Sequence, residues 1–234
     1  MDLEDLRAVS YTATQAQVLS SYRAGLFPMG IGSGGTGRMG WWGPRRRGVL
    51  LPGDLKVSKS LRKSMRHFEC SVNTDFEHVI RACADPSRPG SWITEDIISL
   101  YLGLHKDGWA HSVEIRSEGI LVGGLYGIAM GSFFAGESMF HTRRDASKAA
   151  LVHLVSLFDE TLDNHPSEPG AKNAVSSAPT SIDNDDDHHR WLIDTQWQTS
   201  HLASLGVSEI SGLEYSTRLD SALRGDRCQV ILNK

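Results

Sequence analysis

The chain has little of what would mark a membrane, secreted or metal-clustered protein. No apolar run approaches the roughly 20 residues needed to cross a bilayer. The stretch Met1 to Leu6 carries three acids and no basic cluster, unlike a secretory signal. Cysteine is scarce: Cys70, Cys83 and Cys228 are scattered, odd in number and without CxxC spacing. They read as free thiols, which points to a reducing, cytoplasmic location. No Ser-His-Asp or Cys-His order stands out, so a nucleophilic triad is not expected.

What remains is an ordinary globular composition. The 234 residues are 40% hydrophobic and 22% charged, enough for one large domain or two small ones sharing an interface. The net charge of −4 is unevenly spread. Asp163, Glu168, Asp183, Asp185, Asp186 and Asp187 face only Lys172 between residues 163 and 187, leaving the rest close to neutral. Residues 163 to 187 nearly lack large apolar side chains and are expected to form a disordered insertion. Conversely Arg45, Arg46, Arg47, Lys56, Lys59, Arg62, Lys63 and Arg66 are opposed only by Asp54. Such a run is either a solvated face or a polyanion-binding surface.

Hydrophobic spacing predicts helices over Thr14 to Arg23, Ser58 to His67, Thr74 to Cys83 and Thr94 to Gly108, the last opened by a good N-cap threonine. Between the first two lies a glycine-rich loop that runs to Trp41-Trp42-Gly43-Pro44. The period then shortens to two. Ser112 to Arg116 reads as a strand and Leu121 to Ser138 as two. A helix capped by Asp145 or Ser147 runs to Leu162, followed by a strand over Trp191 to Thr195, a helix over Thr199 to Leu205 and a strand over Val207 to Ile210. The order suggests an α+β protein of two lobes, with a small lobe over 1–65 and a larger one over 66–234.

Two motifs mislead. Gly35-Thr36-Gly37-Arg38-Met39-Gly40 matches GxGxxG, but no strand precedes it and no helix can begin at the following Trp-Trp-Gly-Pro. Asp185-Asp186-Asp187-His188-His189 could ligate a metal, yet a flexible acidic loop lacks a fixed second shell, so no metal is expected.

Three stretches place polar groups where a fold normally wants apolar ones. They are Gly136-Glu137-Ser138-Met139-Phe140, Leu192-Ile193-Asp194-Thr195-Gln196 and His201-Leu202-Ala203-Ser204-Leu205-Gly206. A carboxylate at the end of a hydrophobic strand, as at Glu137, must pair, bind a cation or shift its pKa. Strand alternation puts Asp194 and Gln196 on one face, roughly 7 Å apart. Singly, each stretch is as well structural as functional.

Taken in order with Tyr22-Arg23-x-Gly25-x-Phe27-Pro28, Trp41-Trp42-x-Pro44, Gly90-Ser91-Trp92-Ile93-Thr94, Leu104-His105-x-x-Gly108, Leu121-x-Gly123-Gly124-Leu125-Tyr126-Gly127 and Ala146-Ser147-Lys148, they closely resemble the leucyl/phenylalanyl-tRNA–protein transferases. The resemblance covers about Tyr22 to Ile210. It implies a C-terminal lobe with a GNAT-like acyltransferase fold and a small N-terminal lobe packed on it. It implies transfer of Leu or Phe, and less well Met, from aminoacyl-tRNA to acceptor proteins beginning with Arg or Lys, marking them for degradation. No cofactor or metal would be needed beyond aminoacyl-tRNA as co-substrate, and the working unit would be a monomer. In catalysis, Asp194 would polarise Gln196, whose carbonyl oxygen meets the attacking amine, and Glu137 would bind the cationic acceptor or order the site. Leu125, Phe134 and Met139 would hold the aminoacyl side chain, and Ser138 would also bind substrate. Trp92 and Tyr101 match positions near the terminal adenosine, and Tyr22 and Trp42 would also bind substrate. Arg45, Arg46, Arg47, Lys59, Arg62, Lys63 and Arg66 would meet tRNA phosphates.

Three departures accompany the resemblance: Met29 where the family often has Trp, a shortened start that lacks the family's Gly-Gly-Asp-Leu, and the acidic insertion. The rivals are an acetyl-CoA-dependent N-acetyltransferase on the same fold, disfavoured by the lack of a pyrophosphate loop, and a tRNA-binding protein without activity, disfavoured by the intact Asp194, Gln196 and Glu137.

Overall fold

The computed structural model describes residues 3–88, 91–163 and 191–233. Apart from Asp163, the expected insertion over 163–187 lies outside these residues, as do the Asp185–His189 run and Gly90.

After a short 3-10 turn, β1 (Leu6–Ser10) leads to α1 (Gln15–Arg23), β2 (Phe27–Gly30), β3 (Met39–Trp42) and β4 (Arg46–Leu50). Thr14 starts α1 through a capping box: its hydroxyl accepts the Gln17 N–H and the Gln17 side chain accepts the Thr14 N–H. Next come α2 (Lys59–Met65), β5 (Glu69–Val72), α3 (Phe76–Cys83), α4 (Glu95–Lys106), β6 (Ala110–Ser117), β7 (Ile120–Met130) and β8 (Phe133–His141). The chain ends with α5 (Ala146–Asp163), β9 (Leu192–Gln196), α6 (Ser200–Ala203), β10 (Ser208–Ser211), α7 (Gly212–Arg224) and α8 (Arg227–Leu232).

The strands form two sheets. A three-stranded sheet has the order β1-β3-β2, and a seven-stranded sheet runs β10-β4-β9-β8-β7-β6-β5. All neighbours in the larger sheet are antiparallel except β8 and β9, which are parallel. The expected glycine-rich loop thus contains β2 and β3, and the basic run contains β4. Strand β4 precedes position 65 yet pairs with β9 and β10, so sheet hydrogen bonding crosses the position drawn between residues 65 and 66.

Helices cover both faces of the large sheet, and this explains why every residue of β7 from Leu121 to Met130 is buried. Side chains alternate between two cores. Tyr126 and Ile128 pack with Tyr22, Phe76, Ile97, Tyr101 and Leu219 from α1, α3, α4 and α7. Leu125 and Ala129 pack with Leu61, Leu151, Leu154, Phe158 and Leu232 from α2, α5 and α8. The architecture is α+β. Among the described residues no helix is long and apolar enough to cross a membrane.

Candidate active site

The site lies where the parallel pair comes apart. Strands β8 and β9 match at Phe133↔Leu192, Phe134↔Ile193 and Ala135↔Asp194, and pair no further. Just beyond, each strand carries an irregularity against its other neighbour. On β8, Gly136 and Ser138 oppose the consecutive Gly127 and Tyr126, so Glu137 is an extra residue. On β9, Asp194 and Gln196 oppose the consecutive Val49 and Gly48, so Thr195 is extra. Such bulges bend a strand and re-aim its side chains. Gly48 allows the second: a Cβ there would sit 2.8 Å from the Gln198 nitrogen and from the Trp197 carbonyl carbon.

A cavity of about 350 Å³ occupies this gap. Leu125, Phe134, Met139, Leu151, Ile193 and Leu202 form its apolar wall, while Glu137, Ser138, Gln196, Ser147, Thr199 and His201 add polar groups. Three of these residues hold shielded atoms with no hydrogen-bond partner among the described residues: Glu137 Oε1, Gln196 Nε2 and His201 Nε2. Each such orphan costs about 1–3 kcal/mol. Three on residues that line one apolar-walled cavity are the features a site for a partly apolar, partly polar ligand would carry.

The electrostatics separate two carboxylates. Asp194 is wholly buried and is gripped by Arg47, whose Nε and Nη2 reach Oδ1 and Oδ2 at 2.7 and 2.5 Å. The Tyr215 hydroxyl donates to Oδ2 at 3.0 Å and the Gln196 backbone N–H to Oδ1 at 2.8 Å. Burial opposes charge on Arg47, but Asp194 outweighs it and holds the guanidinium pKa above its ordinary value. Burial, then Asp194, raises the Tyr215 phenol. Arg47 is further fixed by the Gly25 carbonyl at 2.9 Å and by the rings of Phe27 and Tyr215 at 4.8 and 4.4 Å. Glu137 has no such cation. Its Oε2 accepts the Tyr101 hydroxyl at 3.0 Å, and Tyr101 meets the Tyr22 hydroxyl at 2.8 Å. Burial pushes the Glu137 carboxyl up to about 7, against the lowering effect of the two tyrosine hydroxyls. Burial, then Lys148 and His141, pushes the His201 imidazole down, which favours its neutral form.

The structure brings together Glu137, Gln196, Ser138, Leu125, Phe134 and Met139 on one cavity. It corrects other expectations. Asp194 and Gln196 do not share a face: the bulge at Thr195 and a left-handed Gln196 (φ 59°) leave Gln196 lining the cavity and Asp194 off it. The contact between them is through the Gln196 backbone N–H, so Asp194 holds the Gln196 main chain. Arg47 is 1% exposed and occupied by Asp194, so it presents no charge to tRNA phosphates. Tyr22, Tyr101 and Trp42 are buried, with Trp42 Nε1 donating to the Met29 carbonyl, and offer no open ring to an adenine. Trp92 keeps an exposed part. Arg45 and Arg46 are exposed but paired with Glu4 and Glu209. Lys59, Arg62, Lys63 and Arg66 are exposed without an ion pair among the described residues. They lie on or next to α2, whose Ser64 donates at 2.7 Å to Asp145, two residues before the cavity-lining Ser147. Sequence reasoning missed Tyr215, Arg88 and Leu151. Arg88 lines the cavity and ties its loop to β8 through the Met139 carbonyl at 2.5 Å.

Residues 49–163 match the family model described as leucyl/phenylalanyl-tRNA protein transferase. Relatives bearing that name include one from Rubrobacter xylanophilus, 43% identical over 92% of this chain and 97% of its own length. Others come from Nitrosospira multiformis, 40% identical over 92% of this chain and 81% of the relative, and Pectobacterium atrosepticum, 41% identical over 92% and 80%.

Proposed function

The chain belongs to the leucyl/phenylalanyl-tRNA–protein transferase family, and we propose that it moves Leu or Phe, and less well Met, from aminoacyl-tRNA to proteins whose N-terminal residue is Arg or Lys. As a member of that family it is an aminoacyltransferase. The acceptor would thereby be marked for degradation. The observation that carries this reading is the cavity beyond the parallel strand pair, whose apolar wall suits an aliphatic or aromatic side chain and whose orphaned polar atoms suit an ester and an amine. Parting of a parallel pair at the site supports a GNAT-like lobe. The exposed cations of α2, linked through Ser64 to the rim, support a path for the tRNA acceptor stem.

An aminoacyl ester is already activated, and an α-amine with a pKa of about 7.7 is partly neutral at pH 7. The enzyme must therefore align two reactants, exclude water and manage one proton. Glu137 and Gln196 line the space where the amine would enter, and Asp194 with Arg47 fixes the Gln196 backbone. In this reading the protein acts as a monomer in the cytoplasm and needs no cofactor or metal besides its aminoacyl-tRNA. The test mixes purified protein with radiolabelled Leu-tRNA and matched peptides starting with Arg or Ser. Stable label on the Arg peptide alone is expected. Label on neither peptide, or acetylation from acetyl-CoA in its place, would overturn the proposal.

A further inference from the structure

A proton leaves the attacking nitrogen during aminoacyl transfer, and two carboxylates stand near the reacting space. Their coordination separates them. A carboxylate offers about four lone-pair directions. Asp194 receives four donors, two from Arg47, one from Tyr215 and one from the Gln196 backbone, and it does not line the cavity. It has neither a free lone pair nor access to substrate. Glu137 has both. Its Oε2 is steadied by the Tyr101 hydroxyl, and its Oε1 is shielded from water and unpartnered among the described residues, on a side chain that lines the cavity. The bulge at Glu137 delivers that side chain to the gap between β8 and β9.

We propose that Glu137 is the proton acceptor of the transfer reaction, through Oε1. The inference rests on the aminoacyl-transfer reading above. The neutral amine nitrogen bonds to the ester carbonyl carbon as its proton passes to Glu137 Oε1. The carbonyl carbon–ribose oxygen bond then breaks, and the same proton goes from Glu137 to the ribose oxygen. Ester and amine become amide and alcohol, with Glu137 returned to its starting state. Catalysis by such a group is most effective when its pKa lies near the working pH, and burial has brought this carboxyl up to about 7. The titratable and charged groups that face it are Tyr22 on α1, Tyr101 on α4, Tyr126 on β7, Arg47 on β4, Asp194 on β9 and Tyr215 on α7. All four tyrosines are held well above their ordinary pKa, each first by burial and then, for the first three, by Glu137 itself. They stay protonated around neutrality, which leaves Glu137 to titrate there.

The experiment measures kcat against pH at saturating aminoacyl-tRNA for the full chain. It uses two Arg-starting peptides whose α-amines differ in pKa. A limb due to the amine moves with the peptide, whereas a limb due to Glu137 stays near pH 7. Glu137→Gln is expected to lower kcat by about 100-fold or more, to abolish the fixed limb and to leave the KM for aminoacyl-tRNA nearly unchanged. Tyr101→Phe keeps the carboxylate and removes a donor to its ionised form, so the fixed limb should move to higher pH. A Glu137→Gln enzyme that keeps its rate and fixed limb would overturn the assignment. So would an unmoved limb in Tyr101→Phe, which serves as the arbiter should the glutamine variant fail to fold. Failure of the wild-type protein to transfer at all would sink the functional reading itself and is told apart on that ground.

Discussion

Two carboxylates on adjacent strands, Asp194 on β9 and Glu137 on β8, sit within a residue of a bulge and meet opposite fates. Behind β9, Asp194 is saturated by a bidentate arginine, a phenol and a backbone N–H, all in a region closed to solvent. Such a group can hold backbone in place but cannot exchange a proton without breaking several bonds. In the gap between the strands, Glu137 has one oxygen hydrogen-bonded and, among the described residues, no ion pair; Arg47 acts on it only at a distance. A burial penalty only partly offset by the tyrosine hydroxyls raises its pKa, whereas Asp194 has a bidentate cation built in. The pair teaches that residual coordination, more than burial or charge, separates an anchor from a reacting group.

The largest test of this contrast removes the anchor's cation. Arg47→Met leaves Asp194 buried and unpaired, a situation that costs about 3–5 kcal/mol. Urea denaturation should show that loss, and the double variant Arg47→Met/Asp194→Leu should recover most of it. A single variant as stable as the wild type would mean that Asp194 is not the saturated anchor described above.

A second test uses stability against pH, where two buried groups should pull in opposite directions. His111 Nδ1 lies 3.1 Å from Asn73 Nδ2 and its Nε2 lies 3.2 Å from the Gly108 carbonyl, and with Asn73 as the donor the ring is neutral. Burial pushes its pKa from 6.5 to about 4. Its contribution is therefore complete above pH 6.5 and is lost as the pH falls through 4, by up to about 3 kcal/mol. Glu137 has its pKa raised from 4.5 to about 7. Its contribution is complete below pH 4.5 and is lost as the pH rises through 7. In the wild type the two slopes oppose each other. Glu137→Gln should unmask stability that rises with pH, and His111→Gln stability that falls. Parallel slopes in the two variants would contradict the assignment of either group.

The elements that local rules can specify were legible in the sequence. Thr14 and Thr94 start α1 and α4 by accepting the N–H groups of Gln17 and Ile97. The helical spacing of Ala150, Leu151, Leu154, Val155 and Phe158 reappears as the buried face of α5. Strand β4 was not legible, because Arg46-Arg47-Gly48 reads as surface until the partner of Arg47 is known, and that partner lies 147 residues away. Helix α7, source of Tyr215, went unread beyond Ile210. The motif blocks did converge on the cavity, with Glu137, Ser138, Met139 and Gln196 together. The relation of Asp194 to Gln196 was not readable, since alternation assumes an unbroken strand and the extra Thr195 breaks it.

The smallest effect sharpens the same distinction among cations. Arg47 and Arg62 belong to one basic run, yet Arg47 is buried against Asp194 while Arg62 is exposed on α2 with no ion pair among the described residues. A cation that neutralises a phosphate releases a counterion, so its removal weakens binding and flattens the dependence of binding on salt. Arg62→Ala should therefore weaken Leu-tRNA binding several-fold and reduce the slope of log affinity against log salt by about 1, with little change in protein stability. Arg47→Met, assayed under conditions where it remains folded, should leave that slope unchanged because its charge never faces solvent. A salt slope that fell for Arg47→Met and held for Arg62→Ala would reverse the roles given to the two arginines and put the nucleic-acid path on the other side of β4.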